Sequence, residues 1–177
     1  MEEAFEQEVE RTVAALKAGK TILYPTDTIW GVGCDATNNK ACLRVYAVKQ
    51  RPLNKSLIIL VDSVERLQDY VVNVPAIAYD LIKGAKSPLS IIYPESKNLA
   101  KAVSDDKSIC IRVVDNEFCK EVIRRLGKPI TSTSANLTGQ PLQGDVYWRQ
   151  GSVAASGRGG ESCAVVILYK RIWGKGL

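Results

Sequence analysis

No histidine occurs anywhere in the 177 residues. That absence removes Ser-His-Asp and Cys-His nucleophilic systems and every histidine-ligated zinc site from the chemistries open to the chain. Disulfide scaffolding is equally poorly provided for. The five cysteines (Cys34, Cys42, Cys110, Cys119, Cys163) are odd in number and never spaced CxxC, so they read as buried, reduced thiols. Long hydrophobic runs are missing too: SLIILV at 56–61 has the length of a strand and falls far short of a membrane span. The opening MEEAFEQEVERTV is acidic and amphipathic, whereas an export signal starts basic and has an apolar centre. A cytoplasmic location with no membrane partner is therefore expected.

Phosphate-binding signatures are absent or misplaced. The Walker pattern GxxxxGK[ST] does not occur. Gly31-Val32-Gly33-Cys34-Asp35-Ala36 fits GxGxxA, and Asp62 ends the next strand, but a dinucleotide fingerprint needs a strand running straight into its glycines and a helix starting on them. Here PTDTIW precedes the glycines and CDATN separates them from the helix. The plainer reading is that Gly31 and Gly33 let a strand pass close to a ligand or another backbone.

What is present is an ordinary globular balance, 46% hydrophobic and 24% charged. A chain of this length buries about 70% of its unfolded surface and needs no staples. Lys and Arg number 24 against 19 Asp and Glu, a net charge of +5. A modest positive excess suits an anionic ligand such as a nucleotide or RNA, and equally a slightly basic solvated surface.

Periodicity predicts alternating elements. Phe5, Val9, Val13 and Leu16 form one stripe of an opening helix over 4–16, ended by Gly19. TILYP is a strand, PTDT a turn, and IWGVGCD a second extended segment. Asn38 or Asn39 caps a helix through ACLRVYAVK, stopped by Pro52. SLIILV, LSIIYP, SICIRVV, KPITST and CAVVIL read as further strands. VERLQDY (begun by Ser63), IAYDLIKGA (with Pro75 in its first turn) and NEFCKEVIRRLG (with Gly127 as C-cap) read as helices. The alternation predicts a single α/β domain over 1–177, built on a twisted mixed sheet with flanking helices. Residues 140–162 read as a long irregular loop.

Two stretches carry candidate chemistry. VKQRP puts Lys49 and Arg51 at a helix exit, with Lys55 four residues beyond Arg51. A point charge and a planar fork together clamp phosphate or carboxylate oxygens, although basic residues at helix C-termini are also favoured by the dipole. TSTSANLTG (131–139) supplies five hydroxyls and one amide directly after a strand, which is where α/β sheets place ligands. A plain Ser/Thr turn is the competing reading.

In their order, TILYPTDTIWGVGCDA, KQRP, IRV and TSTSANLTG resemble the YrdC/Sua5 family of threonylcarbamoyl-AMP synthases, most strongly over residues 10–145, with 146–177 left as irregular loop and C-terminal strand and tail. The resemblance implies an α/β fold with a large, basic concave cavity. It also implies synthesis of threonylcarbamoyl-AMP and pyrophosphate from ATP, L-threonine and bicarbonate or CO2, for t6A modification of tRNA by a downstream transferase machinery. Mg²⁺ is expected to be carried mainly by the ATP, with no protein metal site. The family's KxR and SxN fall on Lys49, Arg51, Ser134 and Asn136. Lys49 and Arg51 are then the catalytic cations. Lys55, Ser134, Asn136 and Ser162 join them around the nucleotide, Ser162 lying in GGESCAVV where the family has Gly-Gly…Ser-Thr-Val-Val. Thr28, Thr133 and Arg112 are expected at threonine, with Arg112 pairing its carboxylate. The family often has Asn-Pro where this chain has Lys55-Ser56, and Cys163 stands where Thr is usual. The length fits the short, single-domain bacterial form. Two other readings use the same fold: a double-stranded RNA or ribosome-maturation factor using the basic cavity, and a carbamoyl-adenylate enzyme of hydrogenase maturation, where a similar domain sits in a much larger protein.

Overall fold

The computed structural model describes residues 2–139 together with the backbone of 147–149, 152–154 and 164–167. Seven strands form one mixed sheet: β1 (Ile22–Tyr24), β2 (Gly31–Gly33), β3 (Ile58–Val61), β4 (Leu89–Tyr93), β5 (Ile109–Val113), β6 (Ile130–Ser134) and β9 (Ala164–Ile167), in the order β1-β2-β6-β3-β5-β4-β9. Only β3 with β5 and β4 with β9 are parallel. Two further strands, β7 (Tyr147–Arg149) and β8 (Ser152–Ala154), pair antiparallel on their own. They lie inside the stretch expected to be an irregular loop. Tyr147, Trp148 and Val153 supply strand-favouring side chains, and only Gln150-Gly151 separates the two segments in sequence.

Helices cover both faces, and the sequence pattern explains which. On α1 (Glu2–Lys17) the 3.6-residue stripe buries Val9, Val13 and Leu16, while Phe5 at the open end stays partly exposed. These residues pack with Val122, Ile123 and Leu126 of α5 (Glu117–Leu126) and with Leu60 and Ile130 of the sheet. Ion pairs of 2.6 Å from Arg125 to Glu6 and Glu121 rim this contact, and Phe5 meets Phe118 edge-to-face at 6.2 Å. The other face buries Ile59, Val61, Ile91 and Ile111 against α2 (Asn39–Lys49), α3 (Leu67–Tyr70) and α4 (Ala76–Gly84). The helix expected from Ser63 is in fact a 3₁₀ turn, Val64–Arg66, running into α3, and Pro75 is the extended N-cap of α4 rather than part of its first turn.

Local signals set the helix ends. Asn38 caps α2, its side chain accepting from Ala41 N, while Asn39 turns outward to accept from Ala102 N at 2.9 Å. Asn116 caps α5 by accepting from Cys119 N, and Gly127 closes that helix at φ +72°. Asn38→Ala and Asn116→Ala are each expected to lower unfolding stability by about 1 kcal/mol, read by urea denaturation, because each strands an N-terminal N–H. Three of the cysteines are buried as expected (Cys34, Cys42, Cys119), but Cys110 is half-exposed and Cys163 lies outside the described residues.

Candidate functional site

Side chains of paired residues point to the same face of a sheet, and alternate along each strand. Register therefore sorts the polar residues. Ile130, Leu60, Arg112 and Ser90 form one cross-strand row, buried where α1 and α5 lie over it. The next row on the same face, Ser132, Ile58, Cys110 and Ile92, is open: all but Ser132 are half-buried. Ser134 falls on this face as well, opposite Gly31. The sheet thus carries a partly uncovered floor with Ser134 at one end and Arg112 toward the other.

At the Ser134 end, two segments 85 residues apart in sequence are locked together. Lys49, only 2% exposed, donates from Nζ to the carbonyl oxygens of Ser134 and Asn136 and, at 3.3 Å, to Asn136 Oδ1. Ser134 Oγ donates to the same Oδ1. Thr138 then donates to the Lys49 carbonyl from both its N–H (3.2 Å) and its hydroxyl (3.0 Å). Burial, reinforced by the nearby Arg51 charge, lowers the Lys49 pKa to about 8. A cation is being held where it is poorly solvated.

Lys49 reaches this point because α2 ends sharply. Gln50 takes the left-handed conformation, φ 49°, and Arg51 N–H bonds back to Tyr46 O, turning the chain two residues before Pro52. Arg51 is then fixed by its own side chain, Nε donating to Lys55 O at 2.8 Å and Nη2 to Ser56 O at 2.7 Å. Its remaining donors are uncommitted by these two bonds. Lys55 contributes its carbonyl here, and its side chain is exposed.

The turn Pro25–Ile29 is tied to β5 and to the start of α5 near Arg112. Thr26 Oγ1 accepts from Thr28 N and donates to Ile29 O, and the Thr26 and Thr28 hydroxyls are 3.1 Å apart. Cys119 Sγ donates to Pro25 O, and Asp115 N–H donates to Asp27 Oδ2 at 3.2 Å. Asp27 Oδ1 sits 3.3 Å from Arg112 Nη2, both side chains 6% exposed. A cavity of about 560 Å³ opens beside this pair, its lining of mixed charge including Asp27, Asp62, Asp115, Lys86 and Lys120, with Lys120 paired to Asp115 at 2.7 Å.

Of the residues singled out in the sequence, Lys49, Ser134 and Asn136 meet directly, with Arg51 close enough to perturb Lys49. Thr28 and Arg112 are linked through Asp27. Thr133 lies apart from them: strand alternation turns it to the opposite face from Ser134 and Arg112, where it pairs with Val32 and is 9% exposed. Ser162 lies outside the described residues. One correction concerns placement. β6 runs antiparallel to β3, so Ser134 sits at the N-terminal end of the parallel β3/β5 pair, opposite to the end where α/β sheets usually bind ligands. The residue that sequence reasoning missed is Asp27. Its signal is the carboxylate inside PTDT, but an acidic residue in a turn ordinarily faces water.

Comparison with known proteins converges on one family. The family model for Sua5, YciO and YrdC, described as telomere recombination, matches residues 14–147. A threonylcarbamoyl-AMP synthase of Photobacterium profundum is 37% identical over 139 residues, 75% of this chain and 74% of that protein. Sua5 of P. abyssi, solved in complex with L-threonine, superposes with a TM-score of 0.73 at 28% identity over 77% of this chain and 41% of its own. E. coli YciO, at 21% identity, shares the fold with a TM-score of 0.73 over 92% of this chain and 84% of its own. With a match across most of its length and 37% identity to a relative it covers by three quarters, the chain belongs to the Sua5/YciO/YrdC family.

Proposed function

We propose that the chain is an L-threonylcarbamoyladenylate synthase, joining L-threonine, bicarbonate or CO2, and ATP to give threonylcarbamoyl-AMP and pyrophosphate, and so serves t6A modification of tRNA in the cytoplasm. The observation that carries this reading is the cross-locking of Lys49 with Ser134 and Asn136 beside Arg51. The names of the relatives and the threonine bound by Sua5 support it.

The chemistry asks for positioning and charge, not for a protein nucleophile. Once the threonine amine has captured CO2, a carbamate oxygen attacks the α-phosphorus of ATP, the P–O bond to the β-phosphate breaks, and pyrophosphate leaves with the electron pair. Lys49 and the open donors of Arg51 neutralise phosphate charge as it develops, a role that suits pre-ordered cations in a poorly hydrated site. Ser134 and Asn136 hold the nucleotide or the adenylate. These side chains, two cations and two neutral groups, do not suit a bare divalent ion, so Mg²⁺ enters on the ATP oxygens.

Thr28 and Arg112 hold threonine, Arg112 through its carboxylate. Register places the Arg112 row four residues along the strands from the Ser134 row and two strands over. That is about 13 Å along and about 10 Å across, a span that suits an adenylate with an amino acid attached. Incubation with ATP, Mg²⁺, bicarbonate and L-threonine, followed by mass spectrometry, is expected to give threonylcarbamoyl-AMP only when both threonine and bicarbonate are present. Folded protein that binds ATP and threonine yet forms none would refute the assignment.

A further inference from the structure

The pair Asp27–Arg112 is buried, and it is badly made. Charge-assisted hydrogen bonds between arginine and carboxylate ordinarily close to about 2.7–2.9 Å, often in pairs. Here a single approach of 3.3 Å joins them, and neither Asp27 Oδ1 nor Arg112 Nε makes a hydrogen bond. At the surface Arg124 and Arg125 close on Glu121 at 2.6 Å, while Arg11 and Arg66 stand 3.4–3.7 Å from their carboxylates. What sets the Asp27–Arg112 pair apart is that its loose geometry is buried. An incompletely engaged guanidinium costs most where water is scarce. Arg112 is therefore held by a carboxylate that leaves its bonding capacity partly unused.

The placement of Asp27 gives this misfit a consequence. It sits in the middle of the turn that carries Thr28, and its other oxygen holds Asp115 N–H. It also lines the 560 Å³ cavity in which Lys86 offers an alternative cation, Lys120 being already paired with Asp115 at 2.7 Å.

Resting on the reading that Arg112 takes the threonine carboxylate, we infer that Asp27 is a resident carboxylate that the substrate displaces. The α-carboxylate of threonine replaces Asp27 on Arg112 with fuller hydrogen bonding. Asp27 swings toward Lys86 in the cavity, and the turn bearing Thr28 is released from β5 to settle on the substrate. The guanidinium keeps one carboxylate throughout, so no net charge enters the buried site. Asp27 is thus a positioning residue and an internal competitor, which gives it an effect opposite to that of an ordinary strut.

Two readouts test this. In the wild-type protein, saturating L-threonine is expected to speed hydrogen exchange at the Asp115 amide several-fold, because that N–H loses Asp27 Oδ2, while L-threoninamide leaves it unchanged. In Asp27→Asn, which keeps shape and removes the competing charge, calorimetry is expected to show L-threonine binding at least threefold tighter and L-threoninamide binding unaltered. Slower exchange at Asp115 with threonine bound, or weaker threonine binding in a folded Asp27→Asn, overturns the exchange and makes Asp27 a strut or a direct contact. Should Asp27→Asn fail to fold, the amide exchange decides alone. If the wild type binds ATP but no threonine, the synthase reading falls and the exchange with it; threonine binding with a protected Asp115 sinks the exchange only.

Discussion

Gly33→Ala is expected to leave the protein unable to fold, with a loss above about 4 kcal/mol and insoluble expression. A methyl group built on Gly33 would stand 1.8 Å from the carbonyl oxygen of Thr131 and 2.8 Å from its carbon. Both are backbone atoms of β6, so no rotamer change relieves the overlap. The neighbouring bonds stop the strands from parting: Thr131 N–H donates to Cys34 O at 2.8 Å, and Cys34 N–H donates to Thr131 Oγ1 at 3.0 Å. Moving β2 out far enough for a methyl would break these bonds and leave their groups unpaired in the interior. Gly31 is the internal control. Its methyl would meet Ser132 Oγ at 3.2 Å and side-chain carbons of Thr26 and Tyr24 at 3.4 Å, all of which can shift a little. Gly31→Ala is expected to cost about 1–2 kcal/mol. Thermal and urea melts followed by circular dichroism compare the two; a Gly33→Ala protein as stable as Gly31→Ala would mean β2 and β6 are not packed this closely.

This pair of glycines shows what a sequence discloses. Their mismatch with the dinucleotide fingerprint pointed to a close approach by a ligand or another backbone; at Gly33 that backbone is Thr131, whereas Gly31 meets only side-chain atoms. The helices were legible because their caps and stripes are local: Asn116, Gly127 and the Val122–Ile123–Leu126 face lie within one segment. Strand direction was not. Whether β6 runs with or against β3 depends on partners 70 or more residues away, and Ser134 would lie at the ligand end expected for it only if the two strands were parallel. Thr133 stands apart from Ser134 for a related reason, because a cluster of hydroxyls in a row hides the period-two alternation that sends every second one to the other face. The meeting of KQR with SAN came from family resemblance alone, since nothing in either segment announces the other. Asp27 is not legible as a buried group, because its partners, Arg112 and the Asp115 amide, are both distant in sequence.

Lys49→Met is expected to lower turnover by at least a hundredfold while the protein stays folded. Removing one pre-ordered donor from a site that stabilises developing charge costs about 3–4 kcal/mol of transition-state binding, and here a full cation goes with it. The fold should tolerate the change, because methionine keeps much of the volume and the buried charge was itself unfavourable. The lowered pKa says so: burial first, then Arg51, disfavour the protonated amine, bringing it from 10.5 to about 8. Below about pH 8 the native and unfolded chains both carry the proton. Between there and the unfolded value the native state has released a proton that the unfolded state still holds, so wild-type stability gains with rising pH relative to Lys49→Met. Function moves the other way. Only the cation neutralises phosphate, and a neutral amine has two donors for the three acceptors that Lys49 now serves at Ser134 and Asn136. The wild-type kcat/KM for ATP is therefore expected to fall as pH rises through about 8, since that ratio reports the free enzyme. The residual activity of Lys49→Met should show no such step. A Lys49→Met protein within tenfold of wild type, or one that keeps the same alkaline limb, would remove Lys49 from the catalytic machinery and leave it as the tie that holds the Ser134–Asn136 turn to α2.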